Sequence, residues 1–119
     1  MPGSLIDRVH RYHAALNALD LATVESMLAD AAEYHSPSVG GILGKPAIVA
    51  VMRGYFAEYP DQVAEDQNVE FAGPDAVRSE WRLTATSKST GKVSTREGIE
   101  TVYFDPAGLI RRIEVHDKC

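Results

Sequence analysis

Glu100 is the residue whose type and setting most need a chemical reason. It lies in the run Gly98-Ile99-Glu100-Thr101-Val102-Tyr103-Phe104, which is rich in β-branched and aromatic residues and closes at Asp105-Pro106-Ala107-Gly108. Period-two alternation puts Gly98, Glu100, Val102 and Phe104 on one face, so a carboxyl group shares an apolar surface. A carboxylate buried there without a partner is costly. Three roles fit: a general acid, a hydrogen-bond donor in the protonated form, or a charge at the mouth of a pocket. Tyr12 falls on the inner stripe of an N-terminal helix, where a tyrosine taken alone is ordinarily a core residue whose hydroxyl finds a partner. His35 and Ser36 stand just before Pro37, and neighbours on a strand point opposite ways. His35 is a candidate base there, against the commoner structural role of a lone histidine. At the chain end Asp117 shares the parity of Ile113 and Val115 and faces inward, which turns His116 outward.

Other chemistries lack their residues. His10 and His13 share a helix edge but no third ligand lies nearby, so neither a metal nor any other cofactor is expected. Gly40-Gly41 and Gly44 are not a phosphate loop, for want of the strand–glycine–helix context with lysine and serine. Ser36 has no nucleophile elbow, which argues against a serine hydrolase. The net charge of −5, with scattered lysine and arginine, gives no basic stripe for nucleic acid. Cys119 is the single cysteine, so no intrachain disulfide forms. The stretch after Met1-Pro2-Gly3-Ser4 resembles neither a signal peptide nor a membrane span, and a cytoplasmic domain that binds no membrane is expected. The 119 residues suffice for one domain, 1–119, with its own core.

The elements that must position these residues follow from the periodicity. Ser4 with Asp7 reads as a helix start, and Leu5, Val9, Tyr12, Leu16 and Leu19 form one stripe. Asp20 caps a second helix carrying Val24, Met27 and Leu28 inward. Residues 31–36 read as a short strand or extended arm, and residues 39–44 as a flexible glycine loop. Pro46 suits the first turn of a third helix, with Ile48, Val51, Met52, Tyr55, Phe56 and Tyr59 on its inner side, and Pro60 stops it. Strands are predicted over 62–72 and 77–87. The latter has Val77, Ser79, Trp81, Leu83 and Ala85 on one face. A hairpin turning at Asp105–Gly108 joins the Glu100 strand to a last strand with Ile110, Ile113 and Val115. Three helices and about four long antiparallel strands make an α+β domain, with the helices on one sheet face and the other face solvated or joined to a second copy.

The order of elements, with Arg11-Tyr12 through Asp20-Leu21, Tyr34-His35-Ser36-Pro37, Gly44 with Pro46-Ala47-Ile48, Gly98 through Phe104 and Gly108 through Ile113, resembles the NTF2-like superfamily. Within it the chain is similar to the ketosteroid isomerase and SnoaL-like polyketide cyclase group. The resemblance covers nearly the whole chain. It implies a cone-shaped α+β barrel in which a curved sheet wraps around the helices, an apolar pocket, and a homodimer through the outer sheet face. Ketosteroid isomerases use an aspartate base and an oxyanion hole of a tyrosine and a protonated aspartic acid. On that pattern Tyr12 falls on the oxyanion tyrosine and Glu100 on the protonated acid, one methylene longer. The family's base stands directly before the proline, and here that residue is Ser36, which does not abstract a proton from carbon unaided. Some SnoaL-like cyclases place an acid on the last strand, which Asp117 matches, and His35 is the other replacement.

Two functions follow from this reading. One is an isomerase or cyclase acting on a steroid- or polyketide-like carbonyl compound, with Tyr12 and a protonated Glu100 on the enolate oxygen and Asp117 or His35 moving the proton. The other is a non-catalytic pocket for a small apolar molecule, lined by Ser36, Phe56, Trp81, Leu83, Val102 and Ile113. Convergence of Tyr12 and Glu100 on one cavity favours the first. An ion pair between Glu100 and Arg82 or Arg96 favours a purely structural carboxylate.

Overall fold

A computed structural model of the protein describes residues 4–37 and 40–117, with only the backbone described at Asp117. Among these residues the elements run α1 (Leu5–Asn17), α2 (Leu21–Met27), β1 (Leu28–Ser36), β2 (Gly40–Leu43), α3 (Lys45–Glu58), β3 (Val63–Gly73), β4 (Ala76–Thr86), β5 (Val93–Phe104) and β6 (Ile110–Asp117). The helix starts form as their caps dictate. The Asp7 N–H donates to the Ser4 hydroxyl at 3.2 Å, and the Thr23 N–H donates to the Asp20 carboxylate at 3.2 Å. At the hairpin turn Asp105 accepts from the N–H groups of Ala107 and Leu109, both at 2.9 Å, and Gly108 takes the positive φ of 85° that closes it.

The six strands form one mixed sheet in the order β2-β1-β6-β5-β4-β3. Beside the four long strands it takes in the segment at 31–36 and one strand that the periodicity does not indicate, and it is not wholly antiparallel. The glycine loop expected at 39–44 is a strand over Gly40–Leu43, paired antiparallel with β1. Backbone pairing needs no side chains, so the glycines do not prevent it. Of the two readings of residues 31–36 the strand holds: they belong to β1, which runs parallel to β6 with Tyr34 opposite Ile113. Its partner is remote in sequence, and local pattern carries no trace of such a pairing.

The helices cover one sheet face. The core between them holds Val9, Val24, Leu28, Val77, Val102, Ile110 and Ile113, all fully buried. Burial on β5 alternates cleanly from Gly98 to Phe104, so Glu100 does face inward. On β3 the register slips between Asp66 and Asn68, and Gln67 forms a bulge. Below the bulge Ala64 and Asp66 are less exposed than their neighbours, and above it Val69 is. Strict alternation from Val69 would put Asp66 on the outer face; the bulge turns it inward. The outer face carries an ion-pair ladder in which Arg112 bridges Glu33 at 3.2 Å and Glu114 at 2.8 Å, and the Tyr103 hydroxyl donates to Glu114 at 3.0 Å. Half-exposed pairs of this kind contribute little individually.

Candidate functional site

A cavity of about 170 Å3 opens between α1, α3 and the inner sheet face. Tyr12, Ser36, Phe56, Trp81, Leu83 and Glu100 line it, joined by His13, Tyr34, Met52, Tyr55, Gln62 and Val115. Val102 and Ile113, expected on this wall, lie one layer deeper with no exposed surface, and Val115 stands in the wall instead. The inward face of β5 and β6 is longer than the cavity, so its far end is plain core.

Trp81 owes its place to Gly98, its partner across the β4–β5 ladder. A Cβ at position 98 would overlap the indole ring and stand 2.7 Å from the His116 carbonyl oxygen. Only the absence of a side chain lets the indole lie over this strand. Arg96, on the same face, places its guanidinium 6.0 Å from the indole centroid and belongs to the cavity lining.

The most constrained group in the cavity wall is His13. It sits on α1 four residues after Val9 and three before Leu16, at the edge of the apolar stripe, and is buried. Its Nε2 lies 2.6 Å from Glu100 Oε1. On the other side Nδ1 lies 2.8 Å from one Asp66 oxygen and 3.0 Å from the other. Both ring nitrogens therefore face carboxylates, and an imidazolium can donate to both at once. Burial pushes the imidazole pKa down, but the Glu100 charge, the Asp66 and Glu100 hydrogen bonds and the Asp66 charge outweigh it and raise it from 6.5 to about 10. Asp66 responds in kind. Burial would raise its pKa, yet the hydrogen bond and charge of His13, with His10 behind, lower it below 3.8.

Asn17 holds this geometry from the next turn of α1. Its amide donates to the Ala64 carbonyl at 2.9 Å and accepts from the Ala64 N–H at 2.9 Å. Ala64 lies two residues from Asp66, so the clamp sets α1 on β3 with His13 opposite the carboxylate. Gln62 adds a bond to the Leu16 carbonyl at 2.7 Å.

Glu100 thus pairs with a histidine and not with Arg82 or Arg96. Tyr12 is 1% exposed and borders the same cavity. Burial, then the nearby Glu100 charge and Tyr34, keep its phenol pKa well above the ordinary value, so it stays a neutral donor. His35 is not brought to the cavity: its Nε2 lies 3.0 Å from Glu33 Oε1, beside a separate shallow depression shared with Glu114 and His116. Ser36 borders both hollows. Asp117 pairs with Gly98 through its backbone, and its side chain lies outside the described residues.

His13 and Asp66 are the ionisable partners of the Glu100 cluster that sequence reasoning left out of the site. His13 was legible only as half of a poor metal pair with His10, although its spacing from Val9 and Leu16 marks it as semi-buried. Asp66 carries no such mark, because the bulge that turns it inward has no signal in the alternation. Among the described residues no set of histidine, cysteine, aspartate or glutamate could hold a metal ion, and no helix is long and apolar enough to cross a membrane.

Solved structures share this architecture at low identity, which shows the fold alone. A cystatin-fold protein of Novosphingobium aromaticivorans, itself uncharacterised, superposes with a TM-score of 0.84 at 22% identity, over 96% of this chain and 98% of that one. A SnoaL-like protein of unknown function from Burkholderia thailandensis gives 0.80 at 24% identity, over 100% and 99%. The epoxide hydrolase/cyclase-like enzyme SalBIII, of pyran ring formation in the polyether salinomycin, gives 0.82 at 14%, over 92% and 87%. NTF2-like proteins are among these neighbours, with a TM-score of 0.83 for one from Exiguobacterium. No curated protein sequence matches the chain. The SnoaL-like domain pattern matches residues 9–113, from the start of the buried α1 stripe to the core of β6, and the chain belongs to the SnoaL-like domain family.

Proposed function

We propose that the cavity binds a small apolar carbonyl compound and moves a proton on it, as an isomerase or cyclase. The observation that carries this reading is the pairing of Glu100 with the buried His13 ring at 2.6 Å, in the wall that also holds Tyr12. Glu100 then takes the part that Asp117 or His35 was expected to play. Its carboxylate accepts a proton from carbon next to the carbonyl, and Tyr12 donates to the oxygen on which negative charge develops. Asp66 and Asn17 hold His13, and His13 holds the carboxylate. An acid at position 100 makes up for the serine at the family's base position, Ser36. The apolar remainder of the wall, including Phe56, Leu83 and Trp81, keeps water from the reacting carbon. An engineered apolar cavity of about 150 Å3 admits benzene, so one or two rings suit this cavity.

The test is deuterium exchange at the α-carbon of cyclohexanone or 2-tetralone in D2O, followed by proton NMR. Wild type should exceed the buffer rate. Glu100→Gln should lose on the order of 10²-fold or more, as should Tyr12→Phe, while Asp117→Asn and Ser36→Ala should stay within a few-fold. A ketone seen by saturation transfer to bind, yet exchanging no faster than in buffer, would overturn the enzyme. That result would support the second reading, a non-catalytic binding pocket, which the mutual satisfaction of His13, Asp66 and Glu100 also favours.

A further inference from the structure

His10 lies one helical turn before His13 on the same edge of α1, and its Nδ1 reaches Asp66 Oδ2, the oxygen that lies 3.0 Å from His13 Nδ1. Four ionisable groups therefore form one line from solvent to the cavity. The His10 side chain is 52% exposed, Asp66 18%, and His13 and Glu100 9% each. The links are 3.4 Å from His10 Nδ1 to Asp66, 2.8 Å from Asp66 to His13 Nδ1, and 2.6 Å from His13 Nε2 to Glu100. Acceptors and donors alternate along it, as proton transfer by successive hops requires.

We propose that Asp66 and His10 form a proton relay that lets the buried His13 lose and regain its charge without water entering the cavity. This rests on the proton-transfer reading above and assigns His10 a role in it as a relay residue touching no substrate. When Glu100 takes a proton from the bound compound it loses its negative charge, and the imidazolium beside it loses a stabilising partner. The His13 Nδ1–H bond then breaks and the proton joins Asp66. Asp66 passes a proton to His10 Nδ1, and His10 releases its Nε2 proton to water. One proton leaves, His13 becomes neutral with hydrogen on Nε2, and Asp66 is a carboxylate again. Return of the proton by the same steps restores the imidazolium when Glu100 gives its own proton back. No oxidant, reductant or further reactant is needed.

The relay is read directly from the exchange of the His13 Nδ1 proton with water, by magnetisation transfer on protein labelled with 15N at histidine and without any substrate. In wild type the exchange should be fast. In His10→Gln, which keeps a polar side chain but no imidazole, it should slow at least tenfold, and tens of millimolar free imidazole should restore part of the rate. Backbone amides of α1 should exchange equally in both proteins, which separates a lost relay from a loosened helix. Equal His13 exchange in the two proteins, within twofold, would overturn the proposal, as would slow exchange in wild type. So would slowing that free imidazole leaves unchanged. Because ketone deuteration plays no part in this measurement, the relay and the proposed reaction fail separately.

Discussion

His13 Nε2 lies 2.6 Å from Glu100 Oε1, although 87 residues of chain separate the two. The contact joins the middle of the first helix to the middle of the fifth strand, on the wall of the cavity. Both side chains are nearly out of solvent, 9% exposed each. Removing one partner of a buried pair costs far more than the pair itself contributes, because the remaining charge stays desolvated.

His13→Leu should therefore destabilise the fold by about 3–5 kcal/mol in urea denaturation, with Asp66 and Glu100 left without their cation. Adding Glu100→Leu to that variant should recover most of the loss, since apolar replacement of a whole buried ion pair is often neutral or better. A single His13→Leu variant as stable as wild type would mean that the carboxylates do not depend on the imidazolium.

The pH dependence has a fixed sign. The His13 pKa rises from 6.5 in the open chain to about 10 in the fold, so its contribution is fully present below 6.5 and is lost as pH climbs through about 10. Asp66 runs the other way: its pKa is lowered from 3.8, and its contribution is present above that value and fades in acid. The stability difference between wild type and His13→Leu should thus be largest just below pH 6.5 and shrink steadily towards pH 10. Denaturant midpoints measured across that range check it, and a difference that grows with pH would contradict the imidazolium.

Gly98→Ala tests the floor of the cavity. The new methyl group would meet the His116 carbonyl oxygen at 2.7 Å and the Trp81 ring, and backbone yields less readily than a side chain. A loss of about 1–3 kcal/mol is expected from this overpacking. Trp81 is the only tryptophan, so its emission should shift to the red as the indole leaves the strand. Unchanged emission together with unchanged stability would show that the indole packs elsewhere.

Much of this protein was legible in its residues because the signals are local. Ser4 with Asp7, Asp20 with Thr23, and Asp105-Pro106-Ala107-Gly108 each make their hydrogen bonds within four residues, and so they mark two helix starts and a hairpin wherever they occur. Alternation along β5 likewise turned Glu100 inward, because a strand has only two faces. Those features, with the stripe through Val9 and Tyr12, were enough for the α+β class, whereas a shared cavity for Tyr12 and Glu100 was implied only by the resemblance to the NTF2-like group. The tertiary structure alone decided what Glu100 faces. Asp66 turns inward through a bulge at Gln67, a slip in pairing between two strands that neither strand announces by itself. β1 finds β6 in parallel across most of the chain, and Gly40–Leu43 becomes a strand because an unpaired edge lies beside it. His13 acquires its charge only where two carboxylates converge on its ring. Hydrogen bonds between near neighbours can be read from spacing, whereas a shifted pKa depends on which distant groups share one desolvated volume.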